Sequence, residues 1–117
     1  MKLLILDDDA VDRQAVIRHI KKIHDNVDIL EAETGRQGID LIQSHEIDCV
    51  FADYILPDMD GIEFLKELTG DAEGLPVCPV VMLTGQGNAD VMKKALHFGV
   101  QDYLVKDGMS PAAIDVA

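Results

Sequence analysis

Short apolar runs alternate with helix-like patterns from one end of this chain to the other, and that alternation limits the folds open to it. KLLIL (2–6) is continuously apolar, as a strand covered on both faces requires. A helix is expected from Ala10 to about His24. Val16, Ile20 and Ile23 fall on one stripe, and Arg18, Lys21 and Lys22 lie near its C-terminal end, where cations suit the helix dipole. VDILEA (27–32) is a second strand pattern. Thr34 and Gln37 then form a capping box before a helix that Ile39, Leu41 and Ile42 carry to about His45. IDCVFAD (47–53) is a third strand pattern, ending in Asp53. LPDMDG (56–61) is a turn-rich loop, and Asp60 with Glu63 opens a helix through Leu68. After a loop over Gly70 to Pro76, PVVMLT (79–84) is a fourth strand pattern. Asn88 caps a helix whose Val91, Ala95 and Phe98 share a face and which Gly99 stops. VQDYLVK (100–106) is a fifth. Ser110-Pro111 starts one more helix, and the chain ends seven residues later.

Five strands separated by helices predict an α/β domain with a parallel sheet covered on both faces. The 117 residues suit one domain. In such sheets ligands bind beyond the carboxyl ends of the strands. Residues at those ends form a short set: Asp7, Asp8 and Asp9 after the first, Asp53 on the third, Thr84 on the fourth and Lys106 on the fifth. Glu31 ends the second, which an outer position would hold away from the centre. Two unit charges about 4 Å apart interact by about 4 kcal/mol at an effective dielectric near 20. Clustered carboxylates therefore need a cation or must bind protons. All-oxygen ligation points to Mg²⁺ or a similar hard ion. A divalent cation, a lysine and a hydroxyl suit an incoming phosphoryl group, and one carboxylate can attack it to form an acyl phosphate. Composition and spacing do not say which aspartate attacks.

The net charge of −12 argues against direct binding to nucleic acid backbones or anionic membranes. Cys49 and Cys78 sit in apolar stretches and read as buried free thiols rather than a disulfide framework. No signal peptide or membrane span is visible, so a cytoplasmic location is expected. The histidines at 19, 24, 45 and 97 are scattered and lack a zinc-ligand pattern.

At these residues the chain resembles the receiver domain of two-component response regulators, including the single-domain chemotaxis regulator. LLILDDDA (3–10), CVFADYILPDMDGIEFLKEL (49–68), VVMLTGQG (80–87) and HFGVQDYLVK (97–106) match its segments in order and cover nearly the whole chain. The resemblance implies a doubly wound, flavodoxin-like sheet in strand order 2-1-3-4-5, with the fifth helix truncated. It implies that residues 1–117 form one receiver domain, either the N-terminal part of a longer protein with an output of its own or a free-standing switch. By the same resemblance Asp53 is the phosphoacceptor, served by a histidine kinase or phosphotransfer protein. Asp8, Asp53 and the backbone carbonyl of Ile55 hold Mg²⁺ (or Mn²⁺), and Asp7 acts largely through water. Thr84 and Lys106 hold phosphoryl oxygens, Tyr103 is the switch aromatic, and Ile55 and Gln86 tune the lifetime of the acyl phosphate. The face of the fourth helix and fifth strand meets the output domain or partner, and homodimerisation is left open. The domain is not itself an enzyme in this reading. Asp9 matches no essential role and is expected to cap the first helix.

One departure concerns Asp107, which stands where the family usually has a proline, often in cis. A non-proline cis bond costs about 2.5–4 kcal/mol, so a trans bond and a different loop shape there stay open. Three rival readings draw on the same residues. Asp7-x-Asp9 resembles the nucleophile and acid of haloacid-dehalogenase-type phosphatases, but that reading leaves Asp53 and LPDMDG unused. DMDG with Glu67 has part of a calcium-loop spacing, with Leu56 at the first ligand position. A receiver fold that is never phosphorylated differs in no residue type.

Overall fold

The structure, a computed structural model, describes residues 1–69, 78–84, 89–97, 100 and 102–105, with the backbone alone described at 69, 84, 89, 91 and 103–105. In chain order the elements are β1 (Lys2–Leu6), α1 (Ala10–Ile23), β2 (Asp28–Ala32), α2 (Gly35–Ser44), β3 (Cys49–Asp53), α3 (Gly61–Thr69), β4 (Val80–Thr84), α4 (Ala89–His97) and β5 (Asp102–Val105). The strands form one sheet in the order β2-β1-β3-β4-β5, and every pairing is parallel. That is the doubly wound order expected. The chain moves outward from β1 to β2, then crosses back to β3, so the order reverses between β1 and β3. A crevice opens at such a reversal, because the connections leave toward opposite sides.

The apolar runs are continuous because the sheet is covered twice. Alternate residues point to opposite faces. Leu4, Leu6, Val50, Ala52, Val80 and Met82 pack with Ile39 and Ile42 of α2, Phe64 and Leu65 of α3 and Ala95 of α4. Leu3, Ile5, Phe51, Val81 and Leu83 point the other way, onto Val16, Ile17 and Ile20 of α1. Glycine matters where α3 begins against this core. A Cβ on Gly61, at the start of α3, would lie 2.6 Å from Met82 Sδ and 3.0 Å from Tyr54 Cδ2.

The helix ends follow the sequence signals. Thr34 Oγ1 accepts from the Gln37 N–H as the N-cap of α2, while Gln37 Oε1 reaches one residue past the N-cap and accepts from the Glu33 N–H, so the expected capping box is met in its first half and shifted in its second. Asp60 Oδ1 accepts from the Glu63 N–H at the start of α3. Lys21 and Lys22 occupy the last turn of α1. Strand limits are shorter than the apolar patterns. Ile47 is buried, yet β3 begins at Cys49. Val100 is buried, but its N–H donates to the Ala95 carbonyl of α4 and β5 begins at Asp102. Apolar patterning reports burial, whereas a strand is defined by its ladder of hydrogen bonds. The readings at Gly70–Pro76, Asn88, Phe98–Gly99 and Ser110-Pro111 lie outside the described residues.

Both cysteines are free thiols. Cys78 belongs to the core under α2 and α3, whereas Cys49 packs on the α1 side of the sheet. Burial, and next the neighbouring Cys78, push the Cys49 thiol up to about 11. An ordinary thiol at 9.0 would hold roughly a hundredfold more thiolate near pH 8, and only the thiolate alkylates. The iodoacetamide labelling rate of Cys49, followed by peptide mass mapping, is therefore expected to keep climbing to about pH 11. A plateau near pH 9 would contradict this.

Candidate functional site

The β1–β3 register sets Leu6 against Ala52, so the residues that follow, Asp7 and Asp53, arrive side by side at the carboxyl ends of adjacent strands. Asp8 is next in the β1–α1 connection. Carboxylate oxygens of Asp7, Asp8 and Asp53 all lie within 4.8 Å of one another. The three differ in environment: Asp7 is buried, Asp53 half-buried and Asp8 exposed. They sit at the crevice where the strand order reverses.

Asp7 is held on several sides. Its N–H donates to the Ala32 carbonyl of β2 at 3.0 Å, and its Oδ1 accepts from the Asp9 N–H at 2.9 Å. Arg13 Nη1 donates to the Asp7 carbonyl at 2.7 Å. Asp9 turns the other way. It is the N-cap of α1, and its Oδ1 accepts from the Val11 and Asp12 N–H groups at 2.8 and 3.3 Å. The capping role expected of Asp9 is what the structure shows.

Asp53 closes β3 and stands in register with Leu83 of β4. Thr84, the last residue of β4, is one step further along the same strand and pairs with Val105 of β5. Tyr103 lies on β5 opposite Met82. Lys106, Gln86 and Asp107 lie outside the described residues. Ile55 follows two residues after Asp53, in a loop braced by an antiparallel bridge between Ile55 and Asp60 and by the Gly61 N–H donating to the Tyr54 carbonyl. Its side chain is 70% exposed.

Two residues of this neighbourhood were not singled out from the sequence. Arg13 is buried on α1 and pairs with Glu31 at 3.0 Å and Glu33 at 3.8 Å while holding the Asp7 carbonyl. Glu31, placed at the edge by its outer strand, thus reaches the site through Arg13. The signal was present: position 13 falls on the stripe of Val16, Ile17 and Ile20, where a cation needs a buried partner. Asp58 spans from the β3–α3 loop to the start of α2, and nothing in the local sequence marks that contact.

The donor set is all oxygen, with three formal negative charges in a small volume, and it fits a hard divalent cation. Among the described residues no other such group of potential metal ligands occurs. No helix among them is long and apolar enough to cross a membrane.

Residues 3–115 match the family described as the response regulator receiver domain. A chemotaxis protein CheY homolog of Campylobacter jejuni is 32% identical over 108 residues, covering 91% of this chain and 81% of that protein. A cyclic di-GMP phosphodiesterase of Thermotoga maritima is 31% identical over 106 residues, but the match covers only 27% of that protein. Among solved structures, a two-component response regulator from Clostridium difficile superposes with a TM-score of 0.83 at 26% identity, over 99% of this chain and 90% of that one. Strand order, acidic crevice and sequence agree: the chain belongs to the response regulator receiver domains, the phosphorylation-controlled switches of two-component signalling.

Proposed function

We propose that Asp53 is the phosphoacceptor of this switch, taking a phosphoryl group from the phosphohistidine of a sensor kinase or phosphotransfer protein. The observation that carries the reading is the convergence of Asp7, Asp8 and Asp53 at the strand-order reversal. Asp8, Asp53 and the Ile55 carbonyl would hold Mg²⁺ or Mn²⁺, with Asp7 acting largely through water. The cation supplies charge neutralisation, so that an anionic carboxylate can approach an anionic phosphoryl group. An Asp53 carboxylate oxygen forms the new O–P bond as the P–N bond to the donor imidazole breaks. The imidazole leaves with the electron pair and takes a proton from solvent. The buried ties on Asp7 keep the acidic wall in place during this displacement. Thr84 and Lys106 hold the phosphoryl oxygens.

Phosphorylation draws Thr84 inward and Tyr103 follows, altering the α4–β5 face that meets an output domain or partner. Met92 and Leu96 of α4 are exposed apolar residues suited to that contact. Ile55, apolar and exposed beside Asp53, and Gln86 tune how readily water attacks the acyl phosphate. The domain catalyses its own phosphorylation and is no enzyme toward other substrates; its setting is cytoplasmic.

Intact mass after incubation with Mg²⁺ and acetyl phosphate tests the reading. One added phosphoryl group on the wild type, lost with chelator, is expected. No gain, with beryllofluoride also failing to bind, would make the chain a receiver that is never phosphorylated. Label that survives Asp53→Asn but is lost on Asp7 substitution would support the phosphatase-like chemistry. Asp9→Ala separates structure from chemistry. Losing this N-cap is expected to cost about 1 kcal/mol in urea unfolding, with labelling of Asp53 unchanged.

A further inference from the structure

The loop after Asp53 is fastened to α2 as well as to its own ends. Asp58, near the loop tip, turns its carboxylate onto the start of that helix. Oδ1 accepts from the Gly35 N–H at 2.8 Å and Oδ2 from the Arg36 N–H at 2.9 Å. These are first-turn amides with no partner inside the helix, and the helix dipole favours a negative charge there. Slight burial works against the Asp58 charge, yet these N–H groups hold its carboxyl below the usual carboxylate range.

The contact is more than a second cap. The Thr34 N-cap already serves the N-terminus of α2, with Gln37 bonded back to Glu33. The neighbour of Asp58, Met59, lies directly over Gly35, where a Cβ would stand 2.5 Å from its Sδ. Arg36 also pairs with Glu67 of α3. Within the loop, the Leu56 N–H donates to the Met59 carbonyl at 3.1 Å, and Ile55 bridges to Asp60. A loop braced in this way moves as a unit, so a tie at its tip sets its tilt. The tie also reaches the far wall of the crevice. The chain running into α2 comes from Ala32, whose carbonyl accepts the Asp7 N–H.

We infer that Asp58 is a positioning residue for the cation site: its clasp on the start of α2 holds the 54–60 loop, and the Ile55 carbonyl with it, in register with Asp8 and Asp53. This rests on the cation site proposed above. Asp58 does not touch the ion. Without the clasp, part of the free energy of cation binding goes into ordering the loop, and apparent affinity falls by the fraction of time the loop is out of place.

Calorimetric Mg²⁺ titration of the intact chain tests this, with thermal unfolding measured alongside. Asp58→Ala is expected to weaken Mg²⁺ binding roughly tenfold, the low end for residues supporting a ligand from outside the coordination sphere. Asp58→Asn, which keeps one acceptor oxygen, should fall between it and the wild type. Thr34→Ala removes a cap from the same helix without touching the loop, so it should lower the melting temperature and leave Mg²⁺ affinity alone. Wild type that binds no Mg²⁺ at millimolar concentration overturns the cation site itself. Wild type that binds, with both Asp58 variants unchanged or with Thr34→Ala weakened as much, overturns the clasp while leaving the site standing.

Discussion

Asp53→Asn is expected to abolish phosphoryl uptake from both acetyl phosphate and a phosphohistidine donor, with no label detectable by intact mass. The replacement has nearly the same shape, so the half-buried position at the end of β3 tolerates it. The chemistry does not. A carboxamide oxygen is a poor nucleophile, and its product would be a far less stable species than an acyl phosphate. The same change removes one of the three carboxylates within 4.8 Å, so Mg²⁺ loses a charged ligand. A second reading follows from linkage. A cation that binds only the folded state raises the melting temperature by an amount that grows with the logarithm of its concentration over Kd. Added Mg²⁺ should stabilise the wild type and stabilise Asp53→Asn distinctly less. Equal thermal shifts in the two proteins would remove Asp53 from the metal site, whatever its role in phosphorylation.

Phe64→Ala is expected to be the most damaging core change. Phe64 is fully buried on α3 and is the bulkiest fully buried side chain among the described residues. It packs beside Leu6 against Gly38 of α2, where a Cβ would lie 2.9 Å from Leu6 Cδ2 and 3.4 Å from Phe64 Cε1. Truncation removes packing on α2, α3 and the sheet at once, and a Phe-to-Ala change in such a core costs about 3–5 kcal/mol. Against a total of about 5–15 kcal/mol, that is much of the stability of a domain this size. Urea unfolding followed by circular dichroism should show the midpoint fall with the slope unchanged. Phe64→Leu, which keeps most of the volume, should cost markedly less. Loss below about 1 kcal/mol for the alanine variant would mean that the site collapses to refill itself.

Much of this molecule was legible in its residues. KLLIL and VVMLT read as strands because both of their faces are buried, and the double layer of helices follows from that pattern. Thr34, Asp60 and Asp9 announced helix starts, since a side-chain oxygen there meets amides that no helix can satisfy internally. The acids at the strand ends were legible as a set, because a parallel sheet gathers the carboxyl ends of its strands on one edge. Ile47 and Val100 misled in a specific way. They are buried by packing, but their backbones pair elsewhere or not in the ladder, and apolarity does not distinguish the two.

Local pattern determined the elements, their caps and the chemical type of the site. Tertiary structure alone decided which acids converge and what holds them there. Composition and spacing place Asp7, Asp8 and Asp9 together at one strand end, and Asp9 alone carries a local signal as a helix cap. Parallel register with β3 brings Asp7 and Asp8 to Asp53, while the turn into α1 commits Asp9 to a helix end. Arg13 under Asp7 and Asp58 across α2 are contacts between segments 6 and 22 or more residues apart. Capping is encoded within one helical turn, so a short window of sequence carries it. Charge pairing across a crevice depends on how strands and loops are brought together in space, and no short window contains that.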